Sequence, residues 1–229
     1  MRRRQWTEYV PNEYFLNHDA VSVDLGCGRY PRNPLRAGKL VGVDIFQAGP
    51  SIGQISYEYR KAVPGEPIPI LDNEADCVTA FDFLEHIPRW DRSLDGRISN
   101  PFIEIMNEIY RALKPNGIFI ALTPCFPSPA AFGDPTHVNH ISEGTYEYFA
   151  KHNFANSLGY GFKGRFEVIS VCWIESSGVL WNSKVNDEDE IPTTKSQIQQ
   201  FRSSIGSVYR KIRNGHNGKT HQLWVFRKI

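Results

Sequence analysis

Short apolar runs that stop at an acid mark the first half of the chain. AVSVDLG (residues 20–26) and KLVGVDI (39–45) are β-branched stretches, each closing on an aspartate, and ADCVTAFDF (75–83) and GIFIALTP (117–124) continue the series. These runs are continuously apolar rather than alternating, which predicts strands covered on both faces. Between the last two lies NPFIEIMNEIYRALKPNG (100–117), with Phe102, Met106, Ile109 and Leu113 at helical spacing. Asn100 supplies an N-cap, Pro101 suits the first helical position, and Pro115 with Gly117 stops the helix. Strand, connection, strand, helix, strand predicts an α/β domain with a parallel sheet.

The second half has a different pattern. ISEGTYEYFAKHNF (141–154) predicts a helix capped by Ser142, and RFEVISVCWIE (165–175) and HQLWVFRKI (221–229) predict strands. The interval between these strands is far longer than a hairpin needs. It opens with a polar stretch and continues into residues 195–215, where Ile198, Phe201, Ile205, Val208 and Ile212 share one helical face. The expected organisation is a single domain over 1–229, with 176–215 an insertion or lid between the last two strands.

The glycines after the first run suggest chemistry. In an open parallel sheet, ligands bind beyond the carboxyl ends of the strands, where strand order reverses. Gly26 and Gly28 would let backbone approach a ligand closely there. Asp44, twenty residues after Asp24, is placed to accept hydrogen bonds from the two hydroxyls of a ribose. A dinucleotide site would want a third glycine and a helix start for the pyrophosphate. The chain offers Pro31 and RYPRNPLRAG (29–38), which predicts at most a short helix. Asp24 would repel a pyrophosphate and suit a cationic group such as an amino-acid ammonium. A ligand with both a ribose and an ammonium is S-adenosylmethionine.

With these residues the chain resembles the class I S-adenosylmethionine-dependent methyltransferases, in the group that acts on small molecules and sugars. The resemblance rests on VDLGCG (23–28), VGVDI (41–45), DCVTAFDFLEHIP (76–88) and ALKPNGIFIALTP (112–124), in family order, and on DPTHVNHISEGTYEYF (134–149). It spans roughly residues 18–175; the short RYPRNPLRAG, where the family has a full first helix, departs from it. The resemblance implies a Rossmann-like, doubly wound, mostly parallel seven-stranded sheet with an antiparallel final strand and the insertion before it. It also implies S-adenosyl-L-methionine as cofactor. Asp24, Gly26, Cys27 and Gly28 would line its methionine part, Asp44 would hold the ribose, and Ile45 would pack on the adenine. Asp82 and Phe83 would face the cofactor and the reacting methyl, with Glu85 on the same side.

Three histidines fall where strands end: His86, His137 and His140. His86 occupies a loop position that the resemblance makes structural. His137, with Asp134 three residues before it as an orienting carboxylate, is the candidate general base for an acceptor hydroxyl. Asp134, His137 and His140 could also be imagined around a metal, but the carboxylates are not clustered in sequence and no metal is expected.

Composition narrows the partners. The chain has 229 residues, 41% hydrophobic and 22% charged, with a formal net charge of +1. That balance gives no bulk attraction to nucleic acid or anionic membrane, and no apolar run reaches the length of a membrane span. A soluble, cytoplasmic protein is expected, with a small-molecule or glycan substrate and no nucleic-acid partner; the oligomeric state stays open, a homodimer included. Cys27, Cys77, Cys125 and Cys172 are scattered and read as free thiols. Aromatic and polar residues mix in the loops after the fourth run, and DPTHVNHIS resembles segments of methyltransferases in surface-polysaccharide pathways. The expected reaction is O-methylation of a sugar hydroxyl in polysaccharide biosynthesis. The alternatives are a lipid-like or aromatic acceptor, and a noncatalytic cofactor-binding partner subunit.

Overall fold

The computed structural model describes residues 9–46, 57–92, 95–150, 152, 154–174 and 219–229. The insertion at 176–215 lies outside the described residues.

The four apolar runs form β1 (Val21–Leu25), β2 (Lys39–Asp44), β4 (Ala75–Phe81) and β7 (Leu113–Phe126), with β3 (Glu58–Lys61) beside β2. A two-stranded hairpin, β5 (Asp91–Arg92) and β6 (Ile98–Ser99), precedes helix α1 (Pro101–Ala112). After β7 come a single-turn helix α2 (Ala130–Gly133), the short β8 (Ile141–Ser142), a 3-10 turn (Thr145–Tyr148) and α3 (Phe154–Ser157). The last two strands are β9 (Phe166–Ile174) and β10 (His221–Lys228). The sheet order is β3-β2-β1-β4-β7-β10-β9, with β8 pairing on β7. Strands β3, β2, β1, β4 and β7 run parallel, and β10 is antiparallel to both neighbours. This is the doubly wound, mostly parallel seven-stranded sheet with an antiparallel final strand that the sequence reading expected.

Both faces are covered, and alternate residues of one strand serve different cores. On β7, Phe119 and Ala121 join α1 residues Phe102, Met106 and Ile109 on one face. Ile118, Ile120 and Leu122 join Val10, Leu35 and Phe81 on the other. Trp224 and Phe226 divide from Leu223 and Val225 in the same way along β10. Each such large side chain, fully buried, contributes roughly 1.5–3 kcal/mol.

Helix α1 starts as its sequence dictates: the Asn100 side chain accepts the Ile103 N–H at 3.1 Å, with Pro101 at the first position. It ends one residue early, and Leu113, the last apolar residue of the helical pattern, opens β7 instead. The helix expected over 141–154 does not form. Ile141 pairs with Cys125, so the segment begins extended, and the Ser142 N–H donates to Thr145 Oγ1 at 3.0 Å rather than Ser142 capping a helix. Phe149 then packs edge-on against Phe102 and Phe162, and this tertiary contact overrides the local helical pattern.

Because β10 alone is reversed, its first residue, His221, stands at the edge where the parallel strands end, opposite Pro124. The carboxyl ends of β1, β2, β4 and β7 therefore gather on one side together with the start of β10. The order reverses between β1 and β4, which locates the cleft.

Candidate active site

The turn after β1 is built from two left-handed glycines, Gly26 at φ 65° and Gly28 at φ 55°. A side chain on Gly26 would meet the Phe83 ring at 2.7 Å, so Phe83 lies directly on this turn. A side chain on Gly28 would meet nothing within 4 Å. Gly28 thus presents bare backbone to open space, the arrangement a closely approaching ligand requires.

Asp44, at the end of β2, holds this turn. One carboxylate oxygen accepts the Gly28 N–H at 2.8 Å and the other accepts the Phe46 N–H at 3.0 Å. An ionised carboxylate has about four acceptor positions. Each Asp44 oxygen keeps one spare, matching the two hydroxyls of a ribose. Ile45 and Phe46 follow with exposed side chains, 46% and 75% accessible, beside that carboxylate.

Asp24 is wholly buried. Its Oδ1 accepts the Thr79 hydroxyl at 2.5 Å and its Oδ2 accepts the Arg32 N–H at 2.9 Å. Burial pushes its carboxyl up to about 6, against the opposing pull of Arg32 and Thr79. Asp24 therefore ties β1 to β4 and to the segment after the glycine turn. That segment forms no helix, and Arg32 folds back to donate to the Phe81 carbonyl at 3.1 Å. Cys27 likewise turns inward: its side chain is buried, its thiol is pushed up to about 12 by burial, and it would collide with a Cβ on Gly42. Only its backbone reaches the turn.

A second constellation forms past β4 and β7. The turn Leu84–His86 carries Glu85, which is 1% exposed. Glu85 Oε2 accepts the Thr123 hydroxyl at 3.0 Å, while Oε1 is buried with no hydrogen-bond partner. His137 Nε2 lies 4.0 Å from that oxygen, and the His86 and His137 rings meet edge-on at 4.9 Å. The Glu85 backbone carbonyl accepts the Val138 and Asn139 N–H groups, both at 2.9 Å, which clamps the post-β7 loop against the post-β4 turn. Desolvation, reinforced by Asp82, pushes the Glu85 carboxyl up to about 8.

These features are also those of a known family. Residues 23–121 match the family described as "Methyltransferase domain". Over that stretch the chain carries the domain of the class I S-adenosylmethionine-dependent methyltransferases. No curated protein sequence matches this methyltransferase significantly. Among solved structures, it is similar to a SAM-dependent methyltransferase from Archaeoglobus fulgidus, at 18% identity over 94% of this chain and 89% of that one, with a TM-score of 0.52. The Haloferax volcanii protein solved in complex with the methyltransferase activator Trm112 aligns at 16% identity over 91% and 82%, with a TM-score of 0.55. A geranyl diphosphate methyltransferase in complex with SAM aligns at 13% identity over 95% and 82%, with a TM-score of 0.50. At these identities the structural likeness speaks for the fold.

The methyltransferase thus brings Gly26, Gly28, Asp44, Ile45 and Phe83 around one turn, with Asp24 and Cys27 beneath it. Asp82, at φ 49°, approaches His221 Nε2 at 3.2 Å without hydrogen-bond alignment. The expected His137–Asp134 side-chain pair is not formed. Asp134 Oδ1 accepts the Thr136 N–H at 2.8 Å and hydroxyl at 2.6 Å, and these bonds hold its carboxyl below the usual range. The carboxylate beside His137 is Glu85 instead. His140 stands apart, its ring tilted against Phe132 at 4.6 Å.

The sequence places Glu85 with Asp82 and Phe83 on the cofactor side rather than beside His137, gives His86 a structural role, and does not point to His221 or Phe46. The Glu-His pair at the end of a strand was the available signal for Glu85 and His86. His221 could be found only by knowing that the last strand runs backwards.

Among the described residues no helix is long and apolar enough to cross a membrane.

Proposed function

We propose that this methyltransferase transfers the methyl of S-adenosylmethionine to a hydroxyl oxygen of a small molecule, a sugar of a polysaccharide pathway. The observation that carries the reading is the Glu85–His86–His137 cluster, unpartnered at Glu85 Oε1 and carried on the turn that directly follows Phe83.

Gly26 and Gly28 open the backbone to the methionine part of the donor, Asp44 takes the ribose, Ile45 covers the adenine, and Phe83 and Asp82 border the methyl. Asp24 acts one layer below, fixing the loop through Thr79 and Arg32. The donor supplies an activated sulfonium methyl, so the chain's own task is alignment and removal of a proton.

His137 is the proton acceptor. Its Nδ1 faces the Ala131 carbonyl at 3.3 Å, which assigns the proton to Nδ1 and leaves the Nε2 lone pair for an acceptor hydroxyl. Asp134 contributes at one remove: it holds Thr136, whose carbonyl and hydroxyl receive His86 Nδ1 at 3.2 and 3.1 Å.

The glycan assignment draws on exposed rings. Phe126 and Phe132 meet edge-on at the end of β7 and in α2, and Tyr148 stacks on Tyr160 at 6.2 Å. Flat apolar faces among polar loops suit sugar rings. Four free cysteines, three of them buried, fit a reducing compartment such as the cytoplasm.

The test is incubation with methyl-labelled S-adenosylmethionine and parallel panels of sugars, prenyl diphosphates and phenols. Label is expected in the sugars. Label only in the prenyl or phenolic panel would replace the glycan by the lipid-like or aromatic acceptor, and donor binding without label anywhere would favour a noncatalytic partner subunit.

A further inference from the structure

We infer that Glu85, His86 and His137 form a binding site for a divalent first-row transition-metal ion, of the zinc or manganese(II) kind. One ligating atom from each lies within 4.8 Å of the others, the one such grouping among the described residues.

Three features separate this trio from an incidental polar cluster. The first is the Glu85 carboxylate, almost wholly buried yet lacking any partner on Oε1. A buried carboxylate oxygen left unpaired is costly, and the cost is relieved either by a proton or by a cation bound at that spot.

The second is the state of the imidazoles. His137 Nδ1 points at the Ala131 carbonyl, and His86 Nδ1 points at the Thr136 carbonyl and hydroxyl. The Thr136 hydroxyl spends its own proton on Asp134, so it can only accept from His86. Both rings therefore carry their proton on Nδ1 and a lone pair on Nε2. Histidines that bind metals are held in this way, with the far nitrogen donating to a carbonyl behind the ring.

The third is spacing. Oε1 of Glu85 and Nε2 of His137 stand 4.0 Å apart, too far for a hydrogen bond. Metal–ligand bonds of about 2.0–2.2 Å place two tetrahedral ligands about 3.4 Å apart. An inward shift of roughly half an ångström closes this pair, and no pair of the three, all within 4.8 Å, needs more than about 1.4 Å. Two imidazoles and one carboxylate favour zinc, manganese or iron over magnesium or calcium, which prefer all-oxygen ligands. Three protein ligands leave at least one coordination position open.

The consequence for chemistry rests on the reading of this cluster as the acceptor side. With an ion bound, His137 becomes a ligand rather than a base. A hydroxyl placed on the open position is polarised by the ion and gives its proton to solvent as its oxygen attacks the methyl, while the methyl–sulfur bond breaks and its electron pair stays on the sulfur of S-adenosylhomocysteine. The existence of the site does not depend on that reading.

The test uses the full chain, stripped with chelator and free of methyl donor and acceptor. Cobalt(II) is titrated in as the probe, read by its visible absorption, with zinc then added as competitor. One saturable site displaced by zinc is expected. His86→Ala, His137→Ala and Glu85→Gln should each weaken it by at least about 100-fold, since even second-layer changes cost 10–100-fold. His140→Ala, which removes a ring packed against Phe132 instead, should leave it unchanged. If Glu85→Gln fails to fold, the two histidine variants carry the decision. No saturable cobalt binding by the unaltered chain, or equal binding by both histidine variants, overturns the site. Neither result bears on whether the methyl is transferred to a hydroxyl, and failure to find a hydroxyl acceptor leaves the site standing.

Discussion

The two glycines of the β1 turn should respond very differently to the same added methyl group. Both have positive φ, so alanine costs roughly 1–2 kcal/mol of backbone strain at either position. At Gly28 the new Cβ meets nothing within 4 Å, and strain is the whole cost to the fold. At Gly26 the Cβ lies 2.7 Å from Phe83 Cδ2, well inside van der Waals contact. Phe83 must yield by most of an ångström inside a packed region, which adds about 1–3 kcal/mol. Gly26→Ala should therefore lose roughly 2–5 kcal/mol in urea unfolding and Gly28→Ala only about 1–2 kcal/mol. Donor binding should reveal what Gly28 does. Its methyl would project into the space assigned to the methionine part, and overpacking of about 1–3 kcal/mol corresponds to roughly a 5- to 150-fold loss of affinity. Calorimetry with S-adenosylhomocysteine on the folded variant measures this directly. Affinity of Gly28→Ala within twofold of the parent would refute the placement of the donor over this turn.

Further outcomes follow from the same geometry. Asp44→Ala should weaken donor binding by more than about 1.5 kcal/mol by calorimetry, since charge-assisted bonds to the ribose are lost with the tie to Gly28. His137→Ala should slow the single-turnover methyl transfer by about 10²–10⁴-fold at saturating donor while donor affinity stays put, and a drop under about threefold would return His137 to a structural role. Asp24 carries a folded-state value of about 6 against 3.8 for the free group, so the folded chain keeps a proton in that window that the unfolded chain has lost. Its stabilising contribution is complete below the lower value and fades as pH rises through about 6. Asp24→Asn should gain on the parent by about 1.4 kcal/mol in urea unfolding between pH 5 and pH 7.5, and no relative gain would contradict the buried carboxyl. Thr136→Val removes the hydroxyl behind His86 and should weaken cobalt binding by about 10-fold without changing donor affinity.

How far the sequence carries depends on how local each signal is. The strands of the parallel sheet were legible because both their faces are buried, so Val23, Val41, Val78 and Ile120 stand in continuous apolar runs. Helix α1 was legible because its cap, Asn100, bonds within its own first turn. Asp44 was legible as an acid closing β2 next to a glycine turn. The segment around Ser142 was not, because a strand pairing of Ile141 and a long-range ring contact of Phe149 decide its shape. The pairing of His137 with Asp134 failed for a related reason. Adjacency in the chain suggested it, but an aspartate two residues before a threonine closes its own turn, as Asp134 does on Thr136. Glu85 reaches His137 only because the loops after β4 and β7 are clamped together, a contact across fifty residues that no local pattern carries.

The central claim is that the methyl goes to a hydroxyl oxygen placed at the Glu85–His86–His137 cluster. The most direct measurement is carbon-13 resonance of the product formed from methyl-labelled S-adenosylmethionine, with the parent chain and with His137→Ala. The account predicts a labelled methoxy carbon on a sugar, formed by the parent and lost in step with the slowed variant. A methyl bonded to carbon or nitrogen, or a methoxy product formed equally fast without His137, would contradict it.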